Sequence, residues 1–372
     1  MDKRTNICMK YLSFSPYRAG FNNVVMSYEM AFALAYITGR VLITPPRFWS
    51  PFLDTIENDK STWCDIKEVY SKSVGLSSQE VLELKNLETI NSYTGKIQST
   101  KDIFVYKPKH NTVSEDHTVF VHKLENVINN EDFKKFAADR QIEDLNRPEK
   151  ILHFENGLFG HFWYHVYAGD VNSRNNLKTF INNIFVFNQD IIEYAKQMYN
   201  RFGVYNALHL RRNDFCIWLK SHFENTVMTS SQVVNRMRQA FNAAYPLYIA
   251  TDEINEDFLK EIKKSFYVVT YKDLGLNVSK LKTLAIEQQI CANAKYFLGT
   301  YFSTYSKRIN IARGLANKQA QDYSGLNRLE GVKDEEKYKT YPWFYKENKR
   351  WMWHDSSYLH WTQERVESEN AA

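Results

Sequence analysis

Cysteine is scarce. Cys8, Cys64, Cys216 and Cys291 stand far apart and form no Cys-x-x-Cys pair, which excludes a disulfide framework and zinc-ribbon spacing and favours a reducing compartment. Glycine is also sparse, at 13 residues, and no Gly-x-x-x-x-Gly-Lys-Ser/Thr or Gly-x-Gly-x-x-Gly follows a strand. Phosphate-cradling loops of the ATPase and dinucleotide kinds are therefore missing. No Asp-x-Asp pair occurs, so a metal-diphosphate signature is absent, and no Gly-x-Ser-x-Gly supports a serine hydrolase. Long apolar runs are lacking too. The best, Val24 to Pro46, is broken by Glu29 and Arg40 and is not a membrane span. The first residues, "MDKRTNICMKYLSF", have no apolar leader core. Together these absences lead to the expectation of a soluble, cytoplasmic chain without a membrane span. The net charge of +5 comes without a Lys/Arg run, so nucleic acid is not an expected partner.

What is present is an ordinary globular composition, 44% hydrophobic and 24% charged, over 372 residues. That length exceeds a single core and argues for two domains. Residues 8–14 read as a strand, and the apolar residues from Asn22 to about Ile37 fall at helical spacing. Gly39 stops that helix and "RVLITPP" gives the next strand, the start of a βαβ unit. Residues 51–150 are mixed, with a helix at "EVLELKNLETI" and short strands at "DIFVYK" and "TVFVHK". A strand at "EKILHF" and helices ending at Gly203 follow. From residue 205 strands alternate with helices as a doubly wound parallel sheet requires. The expected domains are 1–190 and 191–330, both Rossmann-like, with an aromatic tail over 331–372 that carries Trp343, Trp351, Trp353 and Trp361 and packs back on the body.

In such sheets ligands lie beyond the carboxyl ends of strands. Three polar clusters fall there: His209 to Asp214, Ala250 to Glu253, and Gly299 to Ser306. Arg211 suits a phosphate because its guanidinium is a fixed, permanently charged fork of donors. Asp214 can accept from adjacent N–H and NH₂ donors of a base such as guanine. Ser303, Thr304 and Ser306 open a helix where an anion can sit, although a serine-rich helix start is also an ordinary cap. His161 and His165 lack a third metal ligand and read as packing, as do Cys216 and Cys291.

"HLRRNDF", "LYIATDE", "AIEQQICANAKYFLGTYFSTYSKRI" and "GFNNVVMSYEMAFALAYITGRVLITPP" resemble the GDP-fucose protein O-fucosyltransferase family, most nearly its protein O-fucosyltransferase 2 branch, and more distantly α1,2- and α1,6-fucosyltransferases. The likeness covers about residues 10 to 45 and 150 to 312. It implies an α/β GT-B fold, two Rossmann-like domains facing across a cleft. It also implies an inverting, metal-independent transfer of L-fucose from GDP-β-L-fucose to a protein Ser/Thr or a glycan hydroxyl, with no cofactor beyond the GDP-fucose donor. Carried over by position, Arg211 stabilises the leaving GDP and His209 meets the ribose or phosphate. Asp214 meets the guanine, Ser303, Thr304 and Tyr305 surround the phosphates and base, and Glu287 stands where the family has an Asp. Gly20, Phe21 and Asn22 match the family's diphosphate-contacting "GFN" loop. Ala19 replaces the glutamate that serves the branch as general base, and Glu155 is a candidate substitute. Two other readings stay open: a catalytically silent GDP-sugar-binding protein, and a transferase using another GDP-hexose.

Overall fold

The computed structural model describes residues 10–16, 19–45, 47–53, 56–70, 103–106, 147–154, 171–222, 227–300, 303–315, 346–347 and 350–351. They divide into two compact units, the first running to Val186 and the second starting at Phe187.

The first unit is built on a parallel sheet ordered β2-β1-β4-β3, from Tyr11–Phe14 (β1), Val41–Ile43 (β2), Ile103–Tyr106 (β3) and Ile151–Phe154 (β4). Helix α1, Phe21–Thr38, joins β1 to β2. Its run of Val, Met, Ala, Phe and Leu is buried on nearly every side, so the helix belongs to the core. Gly39 ends it at φ 60°, a left-handed conformation that favours glycine, and the backbone there returns N–H groups to the carbonyls of Ala35 and Tyr36. Arg40 is buried, and its guanidinium donates to the carbonyls of Arg147, Glu149 and Tyr11, fastening the approaches to β4 and β1. Helix α2, Val171–Ile184, follows β4 in the chain.

The second unit has the order β7-β6-β5-β8, again fully parallel: Asn206–Leu210 (β5), Leu247–Thr251 (β6), Val268–Val269 (β7) and Tyr296–Leu298 (β8). Helix α3, Gln189–Phe202, precedes it, and Asn213–His222 (α4), Ser230–Ala240 (α5), Glu256–Lys263 (α6), Tyr271–Leu274 (α7), Lys280–Asn293 (α8) and Thr304–Leu315 (α9) complete it. One face of the sheet, with Leu208, Leu210, Leu247 and Ile249, packs on Val233, Val234 and Met237 of α5 and on Phe258 and Ile262 of α6. The alternating residues of β5 and β6, among them Ala207, His209 and Tyr248, point to the other face. Arg313 is buried and donates to the carbonyls of Ala292, Ala294 and Lys295, closing the carboxyl end of α8.

The strands and helices expected around residues 11–43, 103–106, 151–154 and 171–315 are present with ends moved by a few residues. Helix α4 is an addition, since the sequence reading stopped at a charged strand end. The helix expected at "EVLELKNLETI", the strand at "TVFVHK" and most of the aromatic tail lie outside the described residues; within the tail, Lys346–Glu347 (β9) pairs with Arg350–Trp351 (β10).

Candidate active site at the carboxyl ends of β5, β6 and β8

The chain leaves β5, builds β6 and β7 on one side, and then crosses to place β8 on the other. The sheet order thus reverses between β5 and β8, and this topological switch point is where a crevice for a ligand forms. The register brings the functional residues together. Leu210 is opposite Thr251, so Arg211 and Asp252 emerge next to one another.

Arg211 is held from both sides. One terminal nitrogen donates to Asp252 Oδ2 through a short ion pair, and the other donates to Asp214 Oδ1 at 2.6 Å. Its backbone N–H donates to Thr300 Oγ1 at 2.9 Å, and that hydroxyl donates to the His209 carbonyl at 2.9 Å. Thr300 therefore ties the end of β5 to the turn after β8. Asp252 is similarly engaged, because its Oδ1 accepts the Arg212 backbone N–H at 2.7 Å. Burial pushes the Asp252 carboxyl above the ordinary carboxylate range, against the opposing effect of Arg211.

The neighbouring arginine has a different environment. Arg212 pairs with Glu253 at 2.8 Å, donates to the Met228 carbonyl at 2.7 Å and lies 4.1 Å over the Phe258 ring. It points to the apolar face and acts as a strut. Of the "RR" pair, only Arg211 turns to the rim.

His209 faces the other way from the Leu208–Leu210 core. It is buried, its Nδ1 lies 2.6 Å from Ser306 Oγ, and its ring stacks on Tyr305 at 4.5 Å. Burial, reinforced by Arg211, lowers its pKa to about 3, so the imidazole is neutral at physiological pH. The Tyr305 hydroxyl donates to the Leu284 carbonyl at 2.6 Å, fixing α9 to α8. Ser303 and Thr304 stand at the start of α9. Gly299 allows that start to come close, since a Cβ there would sit 2.7 Å from Ser306 Oγ. Glu287 accepts from the Tyr248 hydroxyl at 3.0 Å, and burial of its carboxyl raises its pKa to about 7.

His209, Arg211, Asp214, Ser303, Thr304, Tyr305 and Glu287 thus all belong to the second unit. Gly20, Phe21 and Asn22 open α1 in the first. The Gly20 carbonyl accepts the N–H groups of Asn23 and Val24, and Phe21 is buried against Phe48 and Tyr70. The Phe21 ring is therefore a packing group, which leaves the backbone and Asn22 as the polar elements of that turn. Glu155, His161 and His165 lie outside the described residues. Among the described residues no three His, Cys, Asp or Glu side chains converge as a metal-binding group, and no helix is long and apolar enough to cross a membrane. Thr300 and Asp252 had no assigned role in the sequence. The only signal for Asp252 was its place in a polar cluster at a strand end.

Against known proteins, the family model described as GDP-fucose protein O-fucosyltransferase matches residues 11–316. The chain belongs to this family. Within the O-fucosyltransferases, GDP-fucose protein O-fucosyltransferase 2 of Drosophila melanogaster is 32% identical over 114 residues, covering 29% of this chain and 23% of the relative. The Homo sapiens enzyme of the same name is 32% identical over 124 residues, 30% of this chain and 26% of its own length. The chain therefore matches about a quarter of these curated relatives. Among solved structures, POFUT1 in complex with GDP aligns at 14% identity and TM-score 0.48, covering 82% of this chain and 96% of that one. NodZ alpha-1,6-fucosyltransferase soaked with GDP-fucose aligns at 12% identity and TM-score 0.43, covering 81% and 92%. Two parallel α/β units in one chain match the α/β class expected from the sequence.

The relatives correct one expectation. Protein O-fucosyltransferase 2 enzymes are lumenal proteins of the endoplasmic reticulum, which conflicts with the cytoplasmic location inferred from cysteine usage and the N-terminal residues. Sparse, unpaired cysteines do not report the compartment when the thiols are enclosed. Cys64 and Cys291 are buried, and burial pushes the Cys64 thiol up to about 11 and the Cys291 thiol well above its ordinary range. Thiols so protonated and enclosed stay reduced in an oxidising compartment as well.

Proposed function

We propose that this O-fucosyltransferase-family chain transfers L-fucose from GDP-β-L-fucose to a hydroxyl acceptor, a protein Ser/Thr or a glycan sugar, with inversion and without a metal. The observation that carries the reading is the placement of Arg211. Its guanidinium reaches the rim at the β5–β8 switch point, oriented by Asp252 and by the Thr300 bond to its own backbone.

Breaking the sugar–phosphate bond builds positive charge on the sugar and negative charge on the departing diphosphate. A pre-placed guanidinium stabilises that developing charge more than it stabilises the bound donor, which is what lowers a barrier. Neutral His209 adds hydrogen-bonding capacity beside the ribose or phosphate without adding charge. Ser303 and Thr304, at the amino end of α9, supply hydroxyl donors to the phosphates, and Tyr305 flanks them beside His209. Glu287, with its carboxyl enclosed beside Tyr248, supports the nucleotide side of the site.

Ala19 supplies no carboxylate to take the acceptor's proton, which favours a reaction with a dissociative, weakly base-assisted character. It also motivates the second reading, a GDP-sugar-binding protein without turnover. Measuring GDP release from GDP-fucose separates the two. Release above the uncatalysed rate, lost in Arg211→Ala, supports a transferase; GDP-fucose binding with no release identifies a silent binder. Release from GDP-mannose but not GDP-fucose overturns the fucose assignment in favour of another GDP-hexose.

A further inference from the structure

A group of exposed apolar side chains lies at the amino ends of the strands of the second sheet, opposite the ends that carry Arg211. Tyr199 in the last turn of α3 is 59% exposed, Val204 just beyond that helix 43%, and Tyr267 at the approach to β7 65%. They belong to one surface. The Phe202 ring lies 6.3 Å from that of Tyr267, and the Gly203 N–H returns to the Tyr199 carbonyl. Single exposed apolar residues are ordinary, whereas a contiguous group of them marks an interaction surface. Cations surround this one. Arg201 lies 5.1 Å over the Phe202 ring and donates to the Asp273 carbonyl, and Arg238 of α5 donates at 2.9 Å to the Ser265 hydroxyl, two residues before Tyr267. Lys272 is exposed on α7.

Among the described residues Arg201, Arg238 and Lys272 form no ion pair with a carboxylate, and the Asp273 carboxylate is taken up by the Thr270 N–H and hydroxyl. The nearby Lys263 and Lys264 pair instead with Glu256 and Glu261 of α6. The patch therefore joins uncompensated positive charge to exposed aromatic rings, and tyrosine and arginine are the residue types that carry most binding energy in protein interfaces. We propose that this face docks an acidic segment of a partner polypeptide, its carboxylates meeting Arg201, Arg238 and Lys272 and an aromatic side chain packing on Tyr199 and Tyr267. Charge complementarity selects the occupant. A nucleic acid needs a longer row of cations to follow its phosphates, and a lipid surface needs a larger apolar face than two phenols and a valine. Docking at the amino ends of the strands leaves the Arg211 rim open, so the inference is independent of the donor-site reading.

Titration calorimetry on the full chain tests this with two probes, polyglutamate and a glutamate–tyrosine copolymer of the same length. The variants are Arg201→Glu with Arg238→Glu, Tyr199→Ser with Tyr267→Ser, and Arg211→Ala. Lys220→Glu with Lys260→Glu makes the same change of net charge on α4 and α6. Circular dichroism confirms folding, and Lys272→Glu replaces the arginine pair if that variant does not fold. Wild type is expected to bind the copolymer roughly fivefold more tightly than polyglutamate, the scale of an aromatic contact. The arginine variant weakens both probes roughly tenfold, as expected for two exposed attractions turned to repulsion. The tyrosine variant loses the preference for the copolymer and keeps polyglutamate binding. The lysine control and Arg211→Ala bind both probes as wild type does. No binding by wild type, no preference for the copolymer, or an equal loss in the lysine control overturns the proposal. Loss of binding in Arg211→Ala places the polymer at the other strand ends and overturns it too. Wild-type sedimentation with equimolar phosphatidylcholine–phosphatidylserine vesicles, lost in both patch variants, overturns it in favour of a lipid surface.

Discussion

At the scale of single residues, the adjacent arginines give a sharp contrast. Arg211 serves the rim, so Arg211→Ala is expected to remove a transition-state interaction of on the order of 3–4 kcal/mol, a loss of roughly a hundredfold or more in transfer rate. Arg211→Lys keeps the charge but loses the fork and is expected to recover little of that rate. Both variants should fold. Arg212 is instead a strut between Glu253, Met228 and Phe258. Arg212→Ala strands a largely buried Glu253 carboxylate and is expected to cost about 3 kcal/mol of stability. Urea unfolding beside a GDP-release assay checks the pair, and equal effects of the two substitutions on folding would refute the division of roles. Arg211 stood out in the sequence because a guanidinium fork at the carboxyl end of a strand in an α/β chain matches phosphate oxygens. Asp252 was left without a role because the contact joins residues 41 positions apart, and only the strand register reveals it.

At the scale of elements, the close seat of α9 on the end of β8 depends on Gly299. An added Cβ at 2.7 Å from Ser306 Oγ and 3.0 Å from the Phe297 ring has to push one of them aside. Gly299→Ala is therefore expected to destabilise by about 1–3 kcal/mol and to weaken GDP binding, because Ser306 anchors His209. Ser306→Gly in the same chain should recover part of the stability while leaving His209 without that bond. Thermal unfolding of the single and double variants checks the coupling. Most elements of the second unit could be read in advance, since β5, β6 and β8 are short apolar runs and the helices carry clear start signals. Thr229 and Gln232 form a capping box, and Asn255 caps α6. Helix α4 was missed because Arg211, Arg212, Asn213 and Asp214 read as a polar cluster closing β5 rather than as a first helical turn. It forms because Asp214 in the first turn suits the helix dipole and Leu219 finds the core. In the first unit, α1 was legible from its apolar spacing and Gly39, but a helix buried on nearly every side gives no amphipathic pattern to show what covers it.

At the scale of the whole molecule, the enclosed Glu287 carboxyl links stability to pH. Its folded pKa, about 7, lies above the ordinary value of 4.5. Between those values the folded chain holds a proton that the unfolded chain has released, so stability falls as pH rises through the window and levels off above it. Glu287→Gln keeps an acceptor for Tyr248 and removes the charge, and is expected to be more stable than wild type by on the order of 2 kcal/mol at pH 8, with the difference vanishing near pH 4. Chemical denaturation at the two pH values reads this directly, and a pH-independent difference would contradict it. What the second unit binds is read by a thermal-shift panel of GDP, UDP, ADP and GDP-fucose on wild type and Arg211→Ala. A ligand at about a hundred times its dissociation constant adds roughly 2.7 kcal/mol to the native state, enough to move the midpoint visibly. Stabilisation of wild type by GDP and GDP-fucose, little by UDP or ADP, and loss of the effect in Arg211→Ala are expected. Equal shifts with all nucleotides, no shift with GDP, or a full GDP shift in Arg211→Ala would contradict GDP recognition by the second unit.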